Sequence, residues 1–276
     1  MSLRHSWQCS SVASKDQATR SAINSIPFIR LVGLLCLGLL TLIFSITPGF
    51  AQDNKQDMEI ALSLANTLRA ARTVIANSQT LINDASIEDK GLTGEKVVKE
   101  TVSRIKKDWN KDLDQLNSES RQGQLVASLL ESIDEVMSDN QQTINRPGVG
   151  FKGFVPAVFA RLVNERFLEK SGQYAKIKVT APLDLVRNRK ARPDKWERRV
   201  IEEKFASDQW QRGEIFAEIS DSANRMAFRM MVPEYYGNAC LSCHGGPEGD
   251  IDVTGYPKEG GKLGDLGGAI SISLYQ

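Results

Sequence analysis

Five consecutive residues constrain this chain more than any other feature: Cys240-Leu241-Ser242-Cys243-His244. The 276 residues include four cysteines and two histidines. Cys9, Cys36 and His5 lie in an N-terminal leader, so the chain past the leader keeps two thiols and one imidazole, all in this pentapeptide. C-x-x-C-H is the attachment pattern of c-type haem. Two thiols at this spacing reach one edge of a porphyrin from a single turn of chain and add across its vinyl groups as thioethers. The adjoining imidazole then comes up beneath the iron as proximal ligand. The expected cofactor is one covalently attached haem c, held by Cys240, Cys243 and His244. The rival readings fit less well. A structural zinc site wants four ligands, mostly Cys and His, and three crowded into one loop do not supply them. A thioredoxin-like dithiol opens a helix after a strand, whereas this segment runs from Tyr235-Tyr236-Gly237-Asn238 into Gly245-Gly246-Pro247, which suits a loop. A plain disulfide is the remaining alternative.

The leader has the layout of an export signal. Residues 1–30 carry Arg4, Lys15, Arg20 and Arg30 against the single acid Asp16. Leu31 to Ile46 is uncharged and apolar but short of the about 20 residues a spanning helix needs. Thr47-Pro48 breaks it, and Gly49 and Ala51 offer small residues at the two positions a signal peptidase reads. Residues 1–51 are therefore expected to be a signal peptide, or an uncleaved signal-anchor, with a buried core helix as the bland alternative. Export places the rest in a periplasm or thylakoid lumen, touching a membrane only if the signal is retained. Hydrophobic residues at 41% and charged residues at 25% give ordinary globular composition with a real core. A net charge of +1 gives no reason to expect nucleic acid as a partner.

Periodicity sets out an α+β layout. Ile60, Leu64, Leu68, Ala71, Ile75 and Ile82 predict a helix over 57–83. Val98, Val102, Ile105, Trp109, Leu113 and Leu116 predict another over 94–117 with Thr93 as N-cap, and Leu125, Leu129, Ile133 and Val136 a third over 124–140. Short polar breaks between them imply antiparallel packing. Pro147 to Gly153 reads as a hinge, and Pro156 opens a helix closed by Gly172. Period-two alternation then predicts strands over 174–180, 214–220, 225–232 and 268–275, with a helix over 196–205 between the first two. The expected division is a helical region, 52–146, and a haem-binding region, 147–276, built on an antiparallel sheet.

The sixth position of the iron stays open. No second histidine or free thiolate remains past the leader. Met58, Met137, Met226, Met230, Met231, a lysine, a tyrosine, water or an empty site are the choices. Met226, Met230 and Met231 lie nearest the motif in sequence, and Met230 is taken as the distal candidate against the plain core packing that strand methionines usually serve. Methionine ligation favours electron transfer, while an open site admits small diatomic ligands. Residues 245–268 hold nine of the 21 glycines, as a loop lying against a flat macrocycle would. There is no Walker motif, no Ser/His/Asp or Cys/His catalytic set and no evident distal His/Arg pair of a peroxidase. An enzyme is therefore not expected.

Three segments together resemble one known family: KGFVPAVFARLVNERF (152–167), VRNRKARPDKWE (186–197) and CLSCHGGPEGD…YPKEGGKLGDLGGAISI (240–272). They are similar to a c-type-haem domain once catalogued only as a domain of unknown function. That domain is found alone in exported cyanobacterial-type proteins and at the front of membrane-bound sensor histidine kinases. The resemblance implies a PAS-like antiparallel sheet flanked by helices, haem bound through Cys240, Cys243 and His244, and a redox- or gas-sensing role. The family's R-N-P-x-N-x-P-D pattern stands here as Arg187 to Asp194 without its internal Pro and Asn. Arg187 is the expected partner of a haem propionate, with an ordinary surface arginine as the alternative. Where relatives use a distal cysteine, this chain has none to offer. Two functions follow: a haem sensor module that passes its signal to a separate protein, or a single-haem electron carrier with a redox partner.

Overall fold

Apolar stripes at three- and four-residue spacing build the first half. The computed structural model describes residues 48–276, so the apolar run Leu31–Ile46 and the export signal that rests on it lie outside the described residues. Helix α1 spans Pro48–Asn77 and is continued by the single turn α2, Gln79–Ile82. Ile60, Leu64, Leu68, Ile75 and Ile82, the residues of the expected stripe, are buried. Helix α3 is Gly94–Trp109, and Thr93 caps it as expected, its side chain accepting from the Lys96 N–H at 3.2 Å. It stops short of 117 because Asn110 turns left-handed (φ 52°), after which Leu113–Gln115 form only a 3-10 turn. Helix α4, Arg121–Asp139, packs against α3 and against α6, Pro156–Ser171, with the turn α5 at Gln141–Ile144 between them. Pro156 occupies the first turn of α6, where its missing N–H costs nothing. Among the described residues no helix is long and apolar enough to cross a membrane.

The second half is a four-stranded antiparallel sheet. Its strands are β1 Ala175–Thr180, β2 Phe216–Ser222, β3 Arg225–Tyr235 and β4 Leu266–Tyr275, in spatial order β1-β4-β3-β2. Register puts Ile177, Ile272 and Met230 in one row and Ala175, Leu274 and Phe228 in another. These side chains share a core with α1, α4 and α6 that includes Leu64, Leu129, Phe159 and Phe167. The helical region and the sheet are thus packed through one continuous core. The opposite face of the sheet carries a smaller cluster, in which Met231 and Ala269 meet Trp196, Val200, Ile201 and Phe205. Those four belong to α7, Lys195–Val200, which widens into a π turn over Ile201–Phe205.

Electrostatics fasten α7 to the sheet. Asp194 and Glu197 form a reciprocal capping box at its start. Arg229 of β3 is almost fully buried, lies over the Trp196 ring at 4.2 Å and donates to Asp194 Oδ2 at 2.6 Å. Lys178 of β1 reaches Glu197 Oε2 at 2.7 Å. The two strands that flank β4, β1 and β3, therefore hold the same helical turn by its carboxylates.

Candidate functional site

The site is the connection between β3 and β4, residues 236–265. Its mouth is closed by two backbone bonds, Tyr236 N–H to Asp265 O (2.9 Å) and Gly264 N–H to Tyr236 O (2.8 Å). Within it Asn238–Cys240 form a 3-10 turn that runs straight into the short helix α8, Leu241–His244. Gly245 N–H closes that turn on Leu241 O. The return leg lies alongside, with Gly261 N–H on His244 O (2.8 Å) and Gly260 N–H on Gly245 O (3.1 Å). Cys240, Cys243 and His244 are therefore presented on consecutive turns of tightly wound chain. Both thiols are free and partly exposed rather than joined in a disulfide.

The imidazole of His244 is fixed in two ways. Its Nδ1 lies 2.9 Å from Glu259 Oε2. Its ring stacks on Tyr236, with centroids 5.1 Å apart and planes at 17°. Glu259 is held in turn by Arg187, whose Nε donates to Oε1 (2.7 Å) and whose Nη2 donates to Oε2 (2.9 Å). Arg187 also donates to Cys243 O (3.0 Å), to Pro257 O (3.3 Å) and to the buried Asp252. Asp252 Oδ1 gathers the Thr254 and Tyr256 N–H groups, so the loop 252–256 is wound about its carboxylate. Burial alone would raise the pKa of Glu259, but the bonds from Arg187 and His244 outweigh it and hold the carboxyl below its ordinary range. Burial likewise opposes the ionised form of Asp252, and the bonds from Thr254 and Arg187 overcome it. Arg187 is held cationic above the ordinary arginine range, because Glu259 and Asp252 outweigh its own burial.

Tyr236 is the packing centre of the loop. A Cβ at Gly261 would lie 2.5 Å from its Cε2, and one at Gly267 would lie 2.3 Å from its Cε1. These two glycines are needed to admit the tyrosine ring. The hydroxyl is buried without a hydrogen-bond partner, and burial together with the Glu259 charge pushes its pKa up to about 12.

The sequence-predicted site residues are partly brought together. Cys240, Cys243 and His244 stand side by side, and Arg187 comes to them from the β1–α7 connection. Its guanidinium is engaged with the carboxylates and carbonyls of the loop rather than left extended for a propionate. Met230 is not gathered here. It is fully buried in the core on the helical side of the sheet, opposite Ile272 in the register. Met231 is buried on the other face, and Met226 is exposed at the strand end. Glu259 and Tyr236 were missed by sequence reasoning, although both sit in stretches already singled out, one in YPKEGG and the other just before the motif. No spacing rule links either of them to His244.

The donor set suits a covalently held haem. A metal-bound histidine normally gives its second ring nitrogen to a carboxylate, which fixes the tautomer and leaves the other nitrogen for the metal. Glu259 stands in that place at Nδ1 of His244, so that Nε2 would be the nitrogen left for iron. The free thiols and the tight turn supply what thioether attachment requires. Among the described residues no group of three or more His, Cys, Asp or Glu side chains is arranged to hold a bare metal ion. A family model described as Tll0287-like matches residues 52–274, nearly all of the described chain. No curated protein and no solved structure gives a significant match.

Proposed function

Because this chain belongs to the Tll0287-like family, we propose that it is an exported c-type haem protein that works as a redox or gas sensor module. Haem would be joined through Cys240 and Cys243 and ligated by His244. Bound haem supplies a one-electron couple and an iron able to take a sixth ligand. The chain supplies the rest: two thiols to tether, an imidazole oriented by Glu259 and Tyr236, and an arginine that locks the loop's two legs together. The observation that carries this reading is the carboxylate at Nδ1 of His244 beside two unpaired thiols. No catalytic role is assigned. A periplasmic or lumenal location would go with the export signal expected in residues 1–51, and a separate signalling or redox protein would receive the output.

A second reading, a single-haem electron carrier, draws on the exposed apolar side chains Ile251, Val253 and Leu263 beside the attachment loop, which suit brief docking to a redox partner. The test is expression with a c-type maturation system, followed by mass spectrometry and absorption spectra with and without CO. Covalent haem that is lost in Cys240→Ala/Cys243→Ala supports haem attachment. Prompt CO binding by the ferrous form supports the sensor, and inertness with a methionine-type spectrum supports the carrier. Unmodified Cys240 and Cys243 would overturn both.

A further inference from the structure

We propose that Glu259 and Arg187 are positioning residues that act on His244 in opposite senses, Glu259 increasing the electron donation of the imidazole and Arg187 restraining it. The proposal rests on the haem reading above. The geometry is a relay of three groups with one shared atom. Glu259 Oε2 faces His244 Nδ1 at 2.9 Å and accepts from Arg187 Nη2 at 2.9 Å. A carboxylate drawing on an Nδ1–H gives the ring partial imidazolate character and makes Nε2 a stronger donor, which favours the oxidised iron. The guanidinium draws on the same oxygen and weakens that pull. Arg187 cannot swing away, because Asp252 holds its Nη1 and the carbonyls of Cys243 and Pro257 also accept from Nη2. The loop therefore contains an accelerator and a brake in contact, and the balance between them sets the potential at which a sensor or carrier would switch.

The two halves of the relay are separable by the sign of their effects. In the full-length, haem-loaded protein, Glu259→Gln is expected to favour reduction by about tenfold, a rise of about 59 mV for one electron. Arg187→Gln is expected to lower the potential, and Arg187→Lys, which keeps the charge, to fall between it and the unaltered protein. Ring 15N NMR of His244 supplies a readout at the hydrogen bond itself. The Nδ1 signal should move towards a weaker bond in Glu259→Gln and towards a stronger one in Arg187→Gln. A purely structural clamp would make both variants loosen the loop and move together. Potentials that shift in the same direction, or an Nδ1 signal unmoved in both, would overturn the proposal while covalent haem remained attached. Absence of covalent haem from the unaltered protein would overturn it together with the proposed function.

Discussion

Tyr236 lies parallel to His244, with ring centroids 5.1 Å apart, and its hydroxyl is buried without a partner. The ring and the hydroxyl therefore make opposite contributions. The ring fills the space between Gly261 and Gly267 and fixes the plane of the imidazole, whereas the hydroxyl has lost water and gained nothing.

Tyr236→Phe keeps the stack and removes the unpaired group. Urea unfolding of the haem-free protein should show it unchanged or more stable by about 1 kcal/mol. Tyr236→Ala should lose about 3–5 kcal/mol, because the gap between two glycines has no side chain to collapse into it. If the phenylalanine variant is the weaker by more than about 1 kcal/mol, the hydroxyl has a partner after all.

Met230 sits in the core, so its substitution should be felt in stability and not in the haem. Met230→Leu conserves volume and is expected to cost less than about 1.5 kcal/mol while leaving the absorption spectrum as it is. Met230→Ala should cost about 2–5 kcal/mol. A spectral change in the leucine variant would return Met230 to the list of iron ligands.

Arg229 is a buried cation between the Trp196 ring and two carboxylates. Arg229→Met preserves much of the packing on Trp196 and leaves Glu197 with Lys178 and the half-exposed Asp194 with its cap bond. It should therefore destabilise the protein by about 1–3 kcal/mol, the worth of the charged hydrogen bonds lost. Urea unfolding checks this, and an unchanged near-ultraviolet circular dichroism spectrum would show that Trp196 keeps its surroundings.

Glu234, at the end of β3, pairs with Arg69 and Arg72 of α1. Burial pushes its pKa up, but the two arginines outweigh that and hold it below the ordinary glutamate value. A lowered folded-state pKa means the stabilisation is present above the unfolded value, near pH 4.5, and is lost as pH falls through the folded value. Unfolding free energy measured from pH 6 to pH 3 should fall more steeply in the unaltered protein than in Glu234→Gln, by on the order of 1 kcal/mol over that range. Parallel curves would remove Glu234 from the acid response.

The sequence carried the elements further than it carried the site. The stripe from Ile60 to Ile82 was sufficient because burial enforces its period directly, whereas the strand at 225–232 is covered on both faces from Ala227 onward and its alternation reflects residue type more than burial. The helix from Gly94 ends earlier than the period suggests: Leu113 and Leu116 keep the spacing, but Asn110, a residue that readily turns left-handed, ends the helix, a stop signal that the apolar period overrides. In the site, Cys240, Cys243 and His244 were legible because their chemistry demands a fixed local spacing. Glu259 was not, since it reaches His244 only after the loop has folded back through Gly260 and Gly261. The glycines were read as room for a macrocycle, yet at 261 and 267 they make room for Tyr236. Met230 shows the limit of alternation, which tells that a side chain faces inward but not what it meets there.

The attachment loop hangs from β3 and β4, both interior strands of the sheet, although β2 accompanies β3 only as far as Met231 and β1 accompanies β4 only from Ala269, so that the roots of the loop pair with each other alone. Fraying in a sheet begins at its borders, here β1 and β2, and local opening of either leaves the roots of the loop in register. In hydrogen exchange the amides of the rows flanked on both sides, Phe228–Met231 and Ile270–Leu274, should therefore trade deuterium among the last in the molecule, close to the rate of global unfolding, and those at the base of the loop earlier. A cofactor tethered in the loop would hang just past the slowest-opening part of the sheet, so that exchange of its ligands need not wait on, or provoke, any unfolding of the strands that bear it.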